Sequence, residues 1–183
     1  GTVEFNQGKD STTAADSSLH MTDNATFTNK FNLNGQTTFA VDKDTKSVFN
    51  AAIKDADYIE KDAADNDVIK QRKGSLVKMG EGEIVLNTKN AYSGDTSIQQ
   101  GTVTVAHNEA LGTGKVSLEN GTTLQSAANV TLANQVEVVT GNVNFSTPQV
   151  NQQDTSLTLT NTVSGAASMT KTGVGTLVLN GVN

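Results

Sequence analysis

Cysteine and tryptophan are absent from this chain of 183 residues, and proline and arginine occur once each. Without cysteine the chain can form neither a disulfide nor a thiolate metal site. Aromatic residues are only 4% of the total, so Val, Leu and Ile must fill any core. No apolar run approaches the length of a membrane-spanning helix. The formal net charge of −6 argues against nucleic acid or an anionic membrane as a partner.

Three residue types are abundant instead. The chain has 26 Thr, 19 Asn and 16 Gly, which together make up a third of it. Threonine suits a pleated strand, while glycine and asparagine suit turns with a positive φ. The composition therefore predicts many short strands separated by many tight turns.

Pairs of apolar residues two positions apart recur from residue 84 onward. Such spacing places both members on the same face of a strand. Strands begin every six to eight residues from Val116 to Leu177, and three of them make a coil of about 20 residues, which indicates a parallel β-helix solenoid of about nine coils. The pairs are Ile84/Leu86, Val103/Val105, Val116/Leu118, Val130/Leu132, Val136/Val138, Val143/Phe145, Leu157/Leu159 and Leu177/Leu179.

One stretch of this region occurs twice. Residues 75–90 read SLVKMGEGEIVLNTKN and residues 168–183 read SMTKTGVGTLVLNGVN, with eight of sixteen positions identical at an offset of 93. Repeated strand-and-turn units are the signature of a solenoid, in which each unit packs on its neighbours. We therefore expect regular coils over residues 75–183, with repeat copies at 75–105 and 168–183. Because the second copy stops before the residues that follow Asn90 in the first, we expect this chain to be an excised piece of a longer protein.

The first 74 residues are less regular. Residues 1–45 alternate weakly and are expected to form less regular coils. Residues 46–74 form an acidic segment without glycine before Gly74, and Phe49, Ile53, Ala56, Ile59 and Ala63 fall at helical spacing. This predicts a short helical insertion around residues 47–64. The alternative interpretation takes VFNAAI and DYI as two strands, with an acidic excursion to Asp67 between coils.

The regular region resembles a known repeat. Residues 76–124 carry a K-x-G-x-G-x-L-x-L pattern, then Y-x-G-x-T-x-I, then G-T-L-x-V, with Met79 and Val103 as departures from the usual residues. This pattern resembles the passenger-associated transport repeat of bacterial autotransporters. The repeat residues expected to matter are Lys78, Gly80, Gly82, Leu86, Tyr92, Gly94 and Gly101, with Lys171, Gly173, Gly175 and Leu179 in the second copy.

The resemblance implies a fold, a location and partners. It implies a right-handed parallel β-helix at the surface of a Gram-negative bacterium, or secreted from it. In the intact protein the passenger would be attached to an outer-membrane β-barrel. The implied role is to aid translocation and folding, as a stalk or adhesin scaffold that mediates adhesion or self-association. Its partner would be a host-cell or matrix protein, or another copy of the passenger.

No catalytic or cofactor-binding pattern stands out. The two histidines, His20 and His107, have no ligand partner at metal spacing, and the acidic residues from Asp55 to Asp67 do not match a calcium loop. We therefore expect no catalytic, cofactor or metal site in this segment. The alternative function is a β-helical scaffold for an autotransporter serine protease whose catalytic domain lies upstream. A polysaccharide lyase or hydrolase is disfavoured, because such sites need clustered carboxylates with Arg or Lys and aromatic platforms, and this chain has one arginine, Arg72, and no tryptophan.

Overall fold

The computed structural model describes residues 2–5, for the backbone only, and residues 16–181. These residues contain 24 strands and no helix. The first nine strands are β1 (Thr2–Phe5), β2 (Ser17–Met21), β3 (Ala25–Phe27), β4 (Lys30–Leu33), β5 (Gln36–Val41), β6 (Lys46–Phe49), β7 (Ile53–Asp55), β8 (Asp57–Lys61) and β9 (Asp67–Gln71).

The remaining strands cover the regular region. They are β10 (Ser75–Met79), β11 (Glu83–Leu86), β12 (Thr96–Ile98), β13 (Thr102–Val105), β14 (Val116–Leu118), β15 (Thr123–Ser126), β16 (Asn129–Leu132), β17 (Val136–Val138), β18 (Asn142–Ser146), β19 (Gln149–Val150), β20 (Gln153–Asp154), β21 (Ser156–Leu159), β22 (Val163–Ser164), β23 (Ser168–Thr172) and β24 (Thr176–Leu179).

Successive coils stack as parallel strands, so the fold is a parallel β-helix. One side is a seven-stranded sheet in the order β2-β5-β10-β12-β14-β17-β22, and a second is β3-β6-β11-β13-β15-β18-β23. The third side consists of the shorter sheets β1-β4-β7 and β16-β21-β24. The parallel solenoid predicted from the apolar pairs is confirmed.

The register reproduces the predicted coil length where the coils are regular. Leu76 aligns with Thr96, and Thr96 aligns with Val116, a spacing of 20 residues in each case. Two coils are longer: Thr37 aligns with Leu76 and Val136 with Val163. The extra residues form antiparallel excursions, β8-β9 in the first coil and β19-β20 in the second. The described part of the chain therefore forms seven stacked rungs on its two long sides instead of the nine expected.

The interior is filled as the alternation predicted. The inward residues of the predicted pairs are buried from Ile84 to Leu159, and only the last pair, Leu177 and Leu179, is partly exposed. Around the first coils a group of aromatic rings packs inside, with Phe27 stacked on Phe49 at 4.8 Å and Phe49 stacked on Phe39 at 5.0 Å between ring centroids.

The helical insertion predicted around residues 47–64 is wrong. Phe49 and Ile53 lie on separate strands, β6 and β7, which continue the coil. The alternative interpretation is correct that the segment forms strands, but VFNAAI is divided between β6 and β7, while DYI lies in β8. Beyond them β8 and β9 form an antiparallel hairpin in which Ile59 faces Ile69. Of the residues at helical spacing, Phe49, Ile53 and Ala56 are buried, whereas Ile59 is half-buried on β8 and Ala63 is exposed at the tip beyond it, so they form no continuous buried stripe.

Candidate functional site

Four of the repeat residues, Lys78, Gly80, Gly82 and Gly101, meet at one corner of the β-helix between β10 and β11. The Nζ atom of Lys78 donates to the carbonyl oxygens of Met79 at 2.8 Å, Gly80 at 2.7 Å and Gln100 at 3.1 Å. Gln100 belongs to the next coil, and its Oε1 in turn accepts the main-chain N–H of Gly80 at 2.9 Å. We call Lys78–Gly82 together with Gln100 and Gly101 the repeat corner.

The Lys78 side chain is fully buried. Burial disfavours the charged amine and lowers the pKa of Lys78 to about 8. The amine donates to three main-chain carbonyl groups at the turn, two from its own coil and one from the next. The lysine therefore joins one coil to the next through the main chain.

Glycine at this corner is required by close approach. Gly80 has a φ of +74° and lies against the main chain of Val41 in the preceding coil. Gly101 has a φ of +71°, and a Cβ there would lie 2.4 Å from the carbonyl oxygen of Gly82, 2.5 Å from that of Gly80 and 2.8 Å from Lys78 Nζ. Side chains at these two positions would push the coils apart. The other repeat glycines that lie against main chain of the preceding coil are Gly82, Gly94, Gly173 and Gly175.

The second repeat copy builds the same corner. Lys171 Nζ donates to the carbonyl of Gly173 at 2.5 Å, as Lys78 does to Gly80, and Gly173 has a φ of +79°. The N–H of Gly175 donates to Thr147 in the preceding coil at 2.8 Å, as that of Gly82 does to Val41. Lys171 and Leu179 lie at the last described coil and are exposed. Val182 and Asn183 lie outside the described residues.

Leu86 and Tyr92 are buried repeat residues of two kinds. Leu86 lies in register between Phe49 and Val105 and has no accessible surface. Tyr92 is also fully buried, and its hydroxyl forms a hydrogen bond of 2.6 Å with Thr96 Oγ1. Burial raises the pKa of Tyr92 and keeps the phenol neutral, so both residues act as core.

Buried polar side chains that the sequence reasoning did not single out also connect coils. No strand occupies the third side of the β-helix between β11 and β12 or between β13 and β14. There Asn90 Oδ1 accepts the N–H of Ile53 at 2.8 Å and its Nδ2 donates to Ala110 at 2.6 Å, so one amide bridges three coils. Asn134 Nδ2 donates to Gly114 at 2.7 Å. The one feature of the sequence that could have pointed to Asn90 is that Asn183 occupies the same position in the second repeat copy.

Asp55 differs from the exposed acidic residues that follow it in the segment. It is 5% exposed, and its Oδ1 accepts the N–H of Gly74 at 2.7 Å and of Ser93 at 3.1 Å. The carboxylate thus fastens the base of the β8-β9 excursion to the coil that follows. Nothing in the spacing of the acidic residues distinguished Asp55 from its exposed neighbours.

The other acidic residues of this segment surround the excursion. Lys61 pairs with Asp67 at 2.8 Å, and Lys70 pairs with Glu60. At the tip, the N–H of Asn66 donates to Asp62 and is the main cause of a lowered pKa for that carboxyl group. The acidic residues are therefore balanced by lysines or hold the turn, and they form no cation site.

Residues 2–5 and 16–181 offer no metal cluster and no membrane-spanning helix, and a small cavity lies among them. No group of three or more His, Asp or Glu side chains in this part could hold a metal ion. His20 pairs with Asp42 at 2.6 Å, and His107 accepts the N–H of Glu109. No helix long and apolar enough to cross a membrane occurs in it. One cavity, lined by Ala127–Asn129 and Gln153–Thr155, measures about 210 Å³, below the size of ordinary ligand pockets.

Comparison with known proteins gave one family. The passenger-associated-transport-repeat matches residues 76–105 and 169–183. No curated protein and no solved structure matched. The chain therefore carries passenger-associated transport repeats, which are typical of autotransporter passenger domains, and the resemblance is confirmed over residues 76–105. Residues 106–124, which the sequence pattern also included, lie outside the match. No catalytic family matched.

Proposed function

We propose that this segment is a non-catalytic scaffold in an autotransporter passenger, exposed at the surface of a Gram-negative bacterium or secreted from it. Its repeats aid translocation and folding, and its outer faces mediate adhesion or self-association. One observation carries the proposal: the matched repeat residues make coil-to-coil contacts, Lys78 to Gln100 above all. In the intact protein the segment is attached to the outer-membrane translocator.

Coil stacking explains how the repeats assist export. A stacked repeat contacts only its neighbours, so a finished coil offers a template for the next one. From β10 to β18 the coils span about 20 residues without long insertions, and closing such short loops costs less entropy than closing the 39-residue coil before them. These coils are therefore suited to form first and to draw the remainder of the passenger into the fold outside the cell.

Surface display of the intact protein tests the proposal. Leu86→Asp places a carboxylate in the interior between Phe49 and Val105, and an unpaired buried charge costs several kcal/mol. We expect synthesis to continue while surface display falls severalfold. The matched control is Ile69→Asp, because Ile69 is 72% exposed and the same chemical change there leaves the coils intact.

Antibody labelling of whole cells, normalised to total protein in lysates, measures the outcome. Equal display of Leu86→Asp and wild type would contradict the proposal that coil stacking assists export. Cells that display the wild type should also aggregate or bind host-matrix protein more than cells without it. Proteolytic activity of the displayed protein without either property would favour the protease-scaffold alternative.

A further inference from the structure

The β8-β9 hairpin, Asp57–Gln71, stands apart from the stacked coils. It is a two-stranded sheet by itself, and no other strand in the described part of the chain pairs with it. It leaves the β-helix after β7 and returns at β10, whose pairing with β5 and β12 it does not interrupt. Its two outer edges therefore carry main-chain groups without strand partners among the described residues.

Two hydrogen bonds establish which main-chain groups of the hairpin face away from its own ladder. The N–H of Arg72 donates to Ala56 at 2.8 Å at the base, and that of Asp62 donates to Asn66 at 3.0 Å at the tip. Bonded and non-bonded pairs alternate along an antiparallel ladder. The pairs Tyr58/Lys70 and Glu60/Val68 are then the bonded ones, and on β9 the main-chain groups of Asp67, Ile69 and Gln71 face away from β8.

The outer edge of β9 is more accessible than that of β8. Every residue of β9 is exposed, with Ile69 at 72%, whereas the middle of β8 is half-buried. The Arg72 guanidinium covers the ring of Tyr58, with its Cζ 3.9 Å from the ring centroid. Ile69 thus places an aliphatic side chain at the centre of an open strand edge, which is the arrangement that invites pairing with another strand.

We propose that β9 pairs antiparallel with β9 of a second molecule of this chain, about a two-fold axis at Ile69. A two-fold interface is self-complementary, so each residue meets its counterpart in reverse order. Ile69 then faces Ile69 of the second molecule, Asp67 faces Gln71, and Val68 faces Lys70. This inference rests on the self-association part of the proposed function and names its surface.

The charges along β9 favour a second molecule of this chain over a cationic peptide as its partner. No like charges lie opposite each other in the two-fold register, and like charges directly opposite are destabilising. Along the outward row of β9 the single charge is Asp67, which Lys61 already neutralises at 2.8 Å. The tip carboxylates Asp62 and Asp65 lie at opposite ends of the resulting four-stranded sheet, because the two hairpins run antiparallel. A row that is nearly neutral and apolar at its centre matches a copy of itself better than a basic segment.

A pairing of five residues is weak for one pair of free molecules. On a cell surface many copies are held together, and linked contacts gain effective concentration without any new contact. We therefore expect association of the purified chain to be visible at high protein concentration, and association of displayed copies to be much stronger.

A single-cysteine variant tests the geometry, since the chain has no cysteine of its own. In the proposed register the two Ile69 residues form a hydrogen-bonded pair with Cα atoms about 5.5 Å apart, within the range that a disulfide spans. Ile69→Cys should therefore give a disulfide-linked dimer under mild oxidation. Asp65→Cys, whose side chain at the tip is 90% exposed, should remain monomeric under the same conditions.

Two substitutions at Gln71 test the register. Gln71→Lys faces Asp67 of the second molecule and should strengthen association severalfold in sedimentation at high concentration. Gln71→Glu should weaken it by a similar factor. Equal cross-linking of both cysteine variants, or of neither, would overturn the proposal. So would tighter binding of an oligolysine peptide by Gln71→Glu without any dimer, which would indicate a cationic partner. These measurements use purified chain, so their failure leaves the display experiment unaffected.

Discussion

Removing the amine of Lys78 is the most informative change to the repeat corner. Lys78→Met keeps the length and the apolar stem of the side chain but leaves the carbonyls of Met79, Gly80 and Gln100 without their donor. A hydrogen bond from a charged donor contributes about 1.5–3 kcal/mol. Two of these carbonyls belong to exposed residues and regain water, so the gross loss lies at the low end, about 5 kcal/mol.

The variant also avoids the cost of burying a cation. A pKa lowered from 10.5 to about 8 corresponds to at most about 3 kcal/mol at 1.36 kcal/mol per unit. The expected net loss in the free energy of unfolding is therefore about 2 kcal/mol. The matched control is Lys171→Met, because Lys171 makes the same contact with Gly173 at an exposed coil, and surface changes of this kind stay within about 0.5 kcal/mol.

The pH dependence provides a second readout of the same residue. Between pH 8 and 10.5 the unfolded chain keeps the Lys78 proton while the folded chain releases it. The unfolded state then binds more protons, so stability rises with pH across that window. Chemical denaturation of wild type and Lys78→Met at several pH values measures the difference, which should grow from pH 8 to 10.5. A variant as stable as wild type, or a difference independent of pH, would refute the reasoning.

Three further substitutions probe the corner, the buried carboxylate and the hairpin. Gly101→Ala should lower the free energy of unfolding by about 3 kcal/mol, measured by thermal unfolding. Gly121 has a similar positive φ but open space around it, so Gly121→Ala should lower it by only about 1 kcal/mol. Equal losses would contradict the role of the close approach between coils. Asp55→Ala should lose about 3 kcal/mol by leaving the N–H groups of Gly74 and Ser93 without their acceptor, while Asp57→Ala on the exposed hairpin should be nearly neutral. Replacing residues 57–71 by a short Asn-Gly turn should preserve the strand content and the melting cooperativity of the β-helix, and loss of the fold would show that the hairpin is part of the core.

The coils could be predicted from the sequence because their signal is local. Val103 and Val105, or Leu157 and Leu159, lie two apart and share a face whatever the remainder of the chain does. The lysine and glycines of the repeat could be identified by similarity, although the reason for their presence, three carbonyls and a close approach, is visible only when Gln100 lies above Lys78.

The incorrect helix prediction and the missed contacts of Asp55 and Asn90 have one physical cause, which is pairing between residues far apart in the chain. From Phe49 to Ile59 the same spacing suits a helix or three short strands, and only the stacking of β6 and β7 on neighbouring coils decides. Asp55 and Asn90 bind main-chain groups 19 to 38 residues away in the chain. No local pattern marks such partners, so the polar contacts that replace the third strand escaped prediction.

The order in which the coils form shows whether the repeat acts as a template for folding. Pulsed hydrogen exchange during refolding of the purified chain reports when each main-chain N–H becomes protected. We expect β10 to β15 to be protected first, because their loops are short and the repeat corner joins them. Protection of β2 to β7 and of β21 to β24 should follow. Protection of β10 to β15 together with or after the outer coils would contradict a templating role for the repeat.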